Sequence, residues 1–241
     1  MSFLRVKVPG TLDVGVDRPT LAEPLDPIAY FGAALMAWFD PSLGTDGATV
    51  TSLTDRSANN KHGSVIVGAP VYDADGLGGT PSVSFNGSSS IATATGTPYG
   101  TGAVTLAVNA QANTTGATQY ICDSSATNNL AVIRSSSTGW QARRNGAASA
   151  LLPSPNINDA VPHSIVAVFD GASSKLFLDG VQVAANDQGV GTFTTTLKLG
   201  CNGAGANFLT GKIGDYLLIN RALTGPEVTQ VSDWMIDRRT V

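Results

Sequence analysis

Apolar and polar positions alternate most clearly between residues 164 and 183, in three short runs that two Asp-Gly pairs separate. An Asp-Gly pair between alternating apolar residues predicts a β-hairpin, because a type I′ turn needs positive φ at both central positions. We therefore place Asp179 and Gly180 at a hairpin turn. The facing pairs that follow from this turn are Leu178–Val181, Phe177–Gln182 and Leu176–Val183, with the first and third pairs on one face.

Short apolar runs separated by Gly, Ser and Asn turns fill residues 104–152, with the spacing typical of strands in a β-sandwich. Before them, residues 27–38 predict a short helix that leads into a strand. After them, Thr224 and Glu227 flank Gly-Pro in the pattern of a helix capping box, with proline in the first turn. The apolar residues at helical spacing that would pack this last helix on the sandwich are Val228, Val231 and Met235.

The first 27 residues stand apart from this pattern. They contain four prolines and no sustained periodicity, and each proline keeps its predecessor out of the α region, so we expect an extended arm. Such an arm has little to bury against itself, and we expect it to lie on its own domain, on a sister subunit or on a larger lattice. Residues 28–241 are expected to form one domain. The arm residues expected to make assembly contacts are Phe3, Leu4, Val6, Val8 and Leu12.

Composition narrows the classes of partner. The chain has 241 residues, of which 42% are hydrophobic and 13% charged, so one large all-β domain can bury a sizeable core without disulfides. A net charge of −4 argues against nucleic acid, because a phosphate-binding face needs clustered Lys and Arg. The pair Arg143-Arg144 is expected in a solvated or interface turn. No apolar run approaches the roughly 18 residues that a membrane helix requires, so we expect no membrane insertion.

Two features bear on the compartment of the protein. Cys122 and Cys201 allow at most one internal disulfide; buried free thiols are favoured, and an inter-strand bridge stays open. The N-terminal residues lack the apolar stretch of a secretory signal. Unless a signal has been removed, we therefore expect the protein to leave its cell by lysis or virion assembly.

Three segments carry a family resemblance. The chain reads AWFDPS at 37–42, LTDRSANNKHG at 53–63 and PSVSFNGSSSIAT at 81–93. Together with the hairpin and the terminal helix, they resemble the concanavalin A-like, laminin G-like jelly-roll family, of the type found in bacteriophage and bacterial surface proteins. In the second segment, Leu53 replaces the usual Trp and Ala58 the usual Gly. The resemblance implies an all-β jelly-roll sandwich of two antiparallel sheets with a short C-terminal helix.

The resemblance also raises glycoside cleavage, since glucanases share this fold and use a Glu-x-Asp-x-x-Glu strand. Their chemistry needs two carboxylates on either side of the scissile bond. This chain has only Glu23 and Glu227, neither of them on a predicted sheet strand, and most aspartates fall in turns. His62 and His163 lack the Gly-x-Ser-x-Gly context of a triad, and His163 is expected to pack or cap. We therefore predict that the protein is not an enzyme.

Binding chemistry is suggested at two kinds of site. An exposed aromatic side chain beside amide and charged groups could bind sugar, although an inward-facing Trp140 is an open alternative. The candidates for this site are Trp140, Gln141, Arg143 and Tyr120, with Tyr99 a weaker one; Trp38 and Trp234 are expected in the core. No cofactor is predicted. The resemblance leaves one alternative open, a structural calcium ion on a rim rich in oxygen ligands, where Asp- and Asn-rich segments are otherwise ordinary turns. The calcium candidates are Asp55, Asn59, Asp73 and Asp75.

Two functional readings follow from these observations. The first is a non-enzymatic structural protein on a virion surface, a bacteriophage decoration, fibre or tail component. Its arm would bind a capsid or tail protein and sister copies, with a trimer as the expected homo-oligomer. The alternative is an extracellular, lectin-like module that binds glycan, with or without calcium.

Overall fold

The structure is a computed structural model, and its described part is rich in strands, with a short helix near each end. This part covers residues 25–93, 100–113, 117–124, 130–135, 139–144, 151, 159–189, 192–193 and 196–238. The predicted assembly contacts Phe3, Leu4, Val6, Val8 and Leu12 lie outside it, as does Tyr99.

The first half of the described part contains one α-helix and eight strands. They are α1 (Pro27–Phe31), β1 (Leu35–Phe39), β2 (Gly63–Val67), β3 (Val71–Asp73), β4 (Ser82–Asn86), β5 (Ser90–Thr93), β6 (Gly100–Thr101), β7 (Val104–Ala112) and β8 (Gln119–Ser124). The second half contains eight more strands and the terminal helix. They are β9 (Leu130–Ser135), β10 (Gly139–Arg144), β11 (His163–Phe169), β12 (Lys175–Leu178), β13 (Val181–Ala185), β14 (Thr192–Phe193), β15 (Leu197–Leu199), β16 (Thr210–Ile219) and α2 (Gly225–Asp237).

Two large antiparallel sheets build the domain in the described part, which confirms the predicted jelly-roll sandwich. The eight-stranded sheet has the order β13-β12-β11-β7-β16-β4-β3, and β1 also pairs with β16. The six-stranded sheet has the order β10-β9-β8-β15-β5-β2, and β6 pairs with β14 apart from both. Strands that follow one another in the sequence, such as β7 and β8, can therefore lie in different sheets, as they do in a sandwich.

The eight-stranded sheet is apolar on both faces because its strands contact two different layers. On β16, Tyr216 and Leu218 point into the core between the sheets, whereas Leu217 and Ile219 belong to a second cluster beneath α2. Trp38 and Trp234 meet edge to face in this second cluster, with ring centroids 6.2 Å apart, as predicted for core tryptophans. The helix residues that the sequence assigned to this interface, Val228, Val231 and Met235, are all buried there.

The start of α2 has the capping box that its sequence predicts. The Glu227 carboxylate accepts the backbone N–H of Thr224 at 2.8 Å, and Pro226 lies in the first turn. Arg221 forms an ion pair with the same carboxylate at 2.6 Å. The hydrogen bonds from Arg221 hold the pKa of Glu227 down at about 2. Local capping and an ion pair thus define where the helix begins.

A buried ion-pair network fastens the end of α2 to the sandwich. Arg238 contacts Asp215 on β16 at 2.6 Å and Asp40 at 3.0 Å, and both carboxylates are almost fully buried. The indole N–H of Trp38 donates to Asp215 at 3.2 Å. Burial raises the pKa of Asp215 to about 6, against the opposing effects of Arg238 and Trp38. Arg56 also pairs with Asp40, so the network joins segments far apart in sequence.

The β12–β13 hairpin matches its prediction in the turn and departs from it in the strand. Asp179 and Gly180 have φ values of 48° and 80°, the positive values of a type I′ turn. The pairs Leu178–Val181 and Phe177–Gln182 are confirmed. The predicted pair Leu176–Val183 is wrong, because Leu176 pairs with Ala184 and a β-bulge leaves Val183 as an extra residue.

The expectation that Arg143-Arg144 forms a solvated turn is also wrong. Both residues lie on β10, and the Arg144 side chain is fully buried. Its guanidinium donates to the carbonyl of Phe169 at 3.4 Å, and burial lowers its pKa. The strand continues into the pair because Arg144 occupies the next inward position after Trp140 and Ala142.

Cys122 and Cys201 are free and buried, as favoured from the sequence. Burial raises the pKa of both thiols. None of the helices in the described part of the chain is long and apolar enough to cross a membrane.

Candidate functional site

The residues predicted to bind sugar divide between two faces of the six-stranded sheet. Trp140 is 0% exposed and belongs to the core between the sheets, which is the inward-facing alternative for this residue and not an exposed platform. Gln141 lies across from residue 133, which in turn lies across from Tyr120, so Gln141 and Tyr120 share the opposite face. Both are only 6% exposed. Arg143 is half-buried on that face.

The first two calcium candidates, Asp55 and Asn59, form hydrogen bonds that stabilise the loop that contains them. Both carboxylate oxygens of Asp55 accept hydrogen bonds from protein donors, including the backbone N–H groups of Trp38 and Lys61 at 2.9 and 2.7 Å. Ser57 adds its own N–H and hydroxyl. The Asn59 amide donates to the carbonyl of Leu35 at 2.8 Å. These bonds hold the loop against β1.

The second pair of calcium candidates is also engaged by protein groups. One Asp73 oxygen accepts from Lys212 at 2.8 Å, and the other accepts the Asp75 N–H at 3.3 Å. The ammonium of Lys212 lowers the pKa of Asp73. Across the part of the chain that the structure describes, no three His, Cys, Asp or Glu side chains lie close enough to hold a metal ion. Three of the four candidates, Asp55, Asn59 and Asp73, therefore form hydrogen bonds with groups of the protein itself.

A different group of side chains meets at one rim of the sandwich, and we call it the rim cluster: Asp159, His163, Asp179 and Trp140. His163 Nδ1 lies 2.6 Å from an Asp179 oxygen, and its Nε2 lies 3.0 Å from an Asp159 oxygen. The Trp140 indole N–H donates to that same Asp159 oxygen at 3.3 Å. The Trp140 and His163 rings meet edge to face, with centroids 5.6 Å apart.

Local structure explains why the rim cluster forms. His163 is the first residue of β11 and directs its ring inward, opposite Ala110 of β7. Asp179 stands at the hairpin turn beside β11, where its second oxygen accepts the Ser164 N–H at 2.9 Å. Two elements therefore bring the carboxylate and the imidazole together. Asp159, four residues before His163, closes the other side of the ring.

The electrostatics of the rim cluster favour a charged imidazole. Burial alone would lower the pKa of His163, but the hydrogen bonds to Asp179 and Asp159 outweigh it and raise the pKa. Both ring nitrogens face carboxylate oxygens, and only the doubly protonated ring can donate to both. The cluster therefore combines two anionic groups with one histidine that gains a proton more readily than usual.

The two carboxylates remain accessible although the histidine is not. The side chains of Asp159 and Asp179 are 40% and 37% exposed, against 10% for His163. Each aspartate is followed two residues later in the chain by an exposed valine, Val161 at 52% and Val181 at 64%. The rim thus offers fixed hydrogen-bond acceptors next to apolar surface, a combination that suits the hydroxyl and C–H groups of a polar ligand.

The same geometry bears on catalysis. A pair of glycosidase carboxylates needs open space between them for the scissile bond. Here the His163 ring fills the space between Asp159 and Asp179 and bonds to both. This carboxylate pair therefore holds the imidazole, while both aspartate side chains stay partly exposed.

Sequence reasoning missed the carboxylates of the rim cluster. Asp179 was interpreted only as a turn residue, and Asp159 follows no motif. His163 does pack, against Trp140, but it also carries two hydrogen bonds that no local pattern indicates. Trp140 was considered as a surface for sugar binding, whereas in the structure its indole N–H donates to Asp159 from the core.

Comparison with known proteins places the chain in a family. Residues 85–229 match the model of the concanavalin A-like lectin/glucanases superfamily. The chain belongs to this superfamily, which confirms the resemblance. No curated protein matches the chain significantly.

Solved structures agree with this fold. Domain 4 of AbnA, an extracellular arabinanase from Geobacillus stearothermophilus in complex with arabinotriose, matches with a TM-score of 0.51 and 18% identity, over 78% of this chain and 100% of that domain. The binding domain of Paraclostridial Mosquitocidal Protein 1 gives 0.58 and 13%, over 83% and 52%. A Trypanosoma rangeli sialidase in complex with sialic acid gives 0.53 and 13%, over 83% of this chain and 33% of the sialidase. The chain spans about a third of the sialidase, and these likenesses establish the fold.

Proposed function

We propose that this chain is a non-catalytic, lectin-like module that binds carbohydrate at the rim cluster. The observation that carries the proposal is the pair of half-exposed carboxylates, Asp159 and Asp179, which His163 holds in place beside exposed valines. Carboxylate oxygens accept hydrogen bonds from sugar hydroxyls, and groups held in advance lose little entropy on binding.

The fold adds support to this proposal. A domain crystallised with arabinotriose aligns along its whole length with this chain. The rim of a sandwich is also where loops and hairpin turns from both sheets meet, so side chains there can converge on one ligand. Because the imidazole occupies the space between the carboxylates, the arrangement favours binding over bond cleavage.

A saccharide screen tests the proposed function. The protein would be titrated with a panel of neutral, acidic and amino oligosaccharides, arabinotriose included, and binding measured by calorimetry. We expect at least one saccharide to bind, and Asp179→Asn to weaken its binding at least fivefold. Asn tolerates the positive φ of the turn, so the hairpin is preserved.

A matched control distinguishes the loss of a carboxylate in the rim cluster from the loss of one negative charge elsewhere on the surface. Asp46 is an exposed aspartate that accepts the N–H of Ala74 just after β3, at the end of the eight-stranded sheet opposite β13, and Asp46→Asn should leave the affinity unchanged. Binding to no member of the panel, or equal loss in both variants, would overturn the proposal.

A second candidate function is display on a virion surface, which is compatible with sugar binding. The proline-rich composition of residues 1–27 supports it, because an extended arm suits attachment to a capsid or tail protein and to sister copies. Sedimentation of source lysate tests this function. The full chain should travel with a large particle, and a chain that lacks residues 2–24 should not. Recovery of the full chain as a free species would contradict display.

A further inference from the structure

One sheet edge differs from the other three. The two large sheets end at β13, β3, β10 and β2. Beyond β3, β10 and β2, single backbone bridges continue the pairing, from Thr49, Leu151 and Leu53. Among the residues that the structure describes, β13 has no such continuation. Among those residues, no strand lies beyond its outer edge to pair with the backbone N–H and C=O groups there.

The chemistry of β13 suits an added strand. Its sequence VQVAA has no charge and no proline, the residues that usually protect an edge. In a two-residue hairpin, the pair that closes the turn, here Leu178–Val181, exchanges backbone hydrogen bonds, and the next pair, Phe177–Gln182, does not. The backbone N–H and C=O of Gln182 therefore point away from β12, toward the open edge. Val181, at 64% exposed, is the most exposed large apolar residue described. The bulge at Val183 restricts which strand can match this edge.

The sequence contains a segment that fits this edge. Residues 4–8 read LRVKV, in which apolar residues alternate with two cations at the period of a half-buried strand. Two acidic residues flank β13, Asp179 before it and Asp187 after it. The segment is therefore complementary to the edge in apolar pattern and in charge.

The spacing between this segment and the fold favours a second copy as the source. Leu25 packs in the cluster beneath α2, on the outer face of the eight-stranded sheet. The edge strand lies about 20 Å from β16, at roughly 4.8 Å per strand. Residues 9–24 include three prolines, and as an extended spacer they would span about 50 Å at ~3.1 Å per residue. Such a spacer is long enough to reach past the edge of its own sheet to a neighbouring copy.

We propose that residues 4–8 of one copy add as a strand to the β13 edge of a neighbouring copy. This exchange would join copies through main-chain hydrogen bonds, with the apolar side chains of the segment packed beside Val181. The edge strand and the arm form this interface, which borders the rim cluster at Asp179 and Val181.

Cross-linking between two differently tagged chains tests this arrangement. One chain would carry Val6→Cys and the other Gln182→Cys; the native cysteines are buried, so they should not react. On mild oxidation we expect a mixed-tag disulfide dimer. Ser64→Cys, exposed on β2 at an edge of the other sheet, is the matched control and should give at least tenfold less product.

Three outcomes would overturn the proposal. They are equal product from the control, no product from the mixture, and a disulfide that forms only within a chain carrying both substitutions. A second variant, Gln182→Pro, removes the N–H that faces the open edge and should convert oligomers to monomers in sedimentation while circular dichroism stays unchanged. Retained oligomers in this folded variant would also overturn it.

Discussion

At the scale of single residues, His163 shows how a position with no sequence motif becomes the centre of a site. Its ring accepts contact from Trp140 in the core and faces a carboxylate at each nitrogen. The same contacts fix Asp159 and Asp179, whose side chains stay 40% and 37% exposed. A small set of hydrogen bonds thus links core packing to exposed ligand-binding chemistry.

The pKa of His163 should depend on Asp179. A raised pKa contributes stability that is fully present below pH 6.5, the ordinary value, and is lost as pH rises through the folded-state pKa. Asp179→Asn removes a charged partner, so we expect the pKa to fall and this pH dependence to shrink. NMR titration of the His163 ring protons measures the pKa, and denaturation at several pH values measures the pH dependence of stability. An unchanged pKa would contradict the role given to Asp179.

Trp140 should matter for stability far more than an exposed sugar platform would. It is fully buried in the core, and Trp140→Ala should lower the free energy of unfolding by about 3–5 kcal/mol. Trp140→Phe keeps most of the apolar volume and loses the bond to Asp159, so its cost should be clearly smaller. Urea denaturation compares the two. A cost below about 1 kcal/mol for the alanine variant would contradict the core assignment.

Particular residues show which parts of the site can be predicted. Asp179 was placed at its turn because the Asp-Gly pair is a local signal. Its contact with His163 depends on how β11 and the hairpin lie side by side, and no local pattern contains that information. Arg144 was misplaced for a related reason: its burial depends on Phe169, which is 25 residues away.

At the scale of elements, α2 is the best predicted part of the fold. Thr224, Pro226 and Glu227 define its start by local hydrogen bonding, and Val228 and Val231 define its buried face by spacing. The hairpin was predicted less completely. Its turn follows from Asp-Gly, but the bulge at Val183 depends on packing between strands and leaves no signal in the sequence.

The capping box of α2 should contribute stability above acidic pH. The Arg221 contact lowers the pKa of Glu227 from 4.5 to about 2, so its contribution is present above pH 4.5 and is lost as pH falls toward 2. Glu227→Gln should cost about 1 kcal/mol at pH 7. Thermal unfolding at pH 7 and pH 2.5 tests this. An equal cost at both values would contradict the charge-based account.

The network under α2 should have the opposite pH dependence. Burial raises the pKa of Asp215 from 3.8 to about 6, so the folded state holds this proton more tightly. Stability from Asp215 is therefore present below pH 3.8 and declines as pH rises through 6, by an amount on the order of 2–3 kcal/mol. Asp215→Asn should remove this decline. Denaturation from pH 4 to 7 measures it, and an unchanged profile in the variant would contradict the assignment.

At the scale of the whole molecule, the sandwich brings together residues that the sequence keeps apart. Trp140 comes from the six-stranded sheet, whereas His163 and Asp179 come from the eight-stranded sheet. The fold could be predicted from family segments and from alternation along strands. The rim cluster could not, because it exists only once the two sheets have packed.

Carbohydrate binding at the rim cluster is tested most directly by locating a bound saccharide on the folded protein. Amide chemical shifts would be followed by NMR while a saccharide from the screen is added. We expect the changes to concentrate at residues 159–163 and 179–182, and to shrink in Asp179→Asn. Changes confined to another surface, or no change with any saccharide, would contradict the claim that the rim cluster binds carbohydrate.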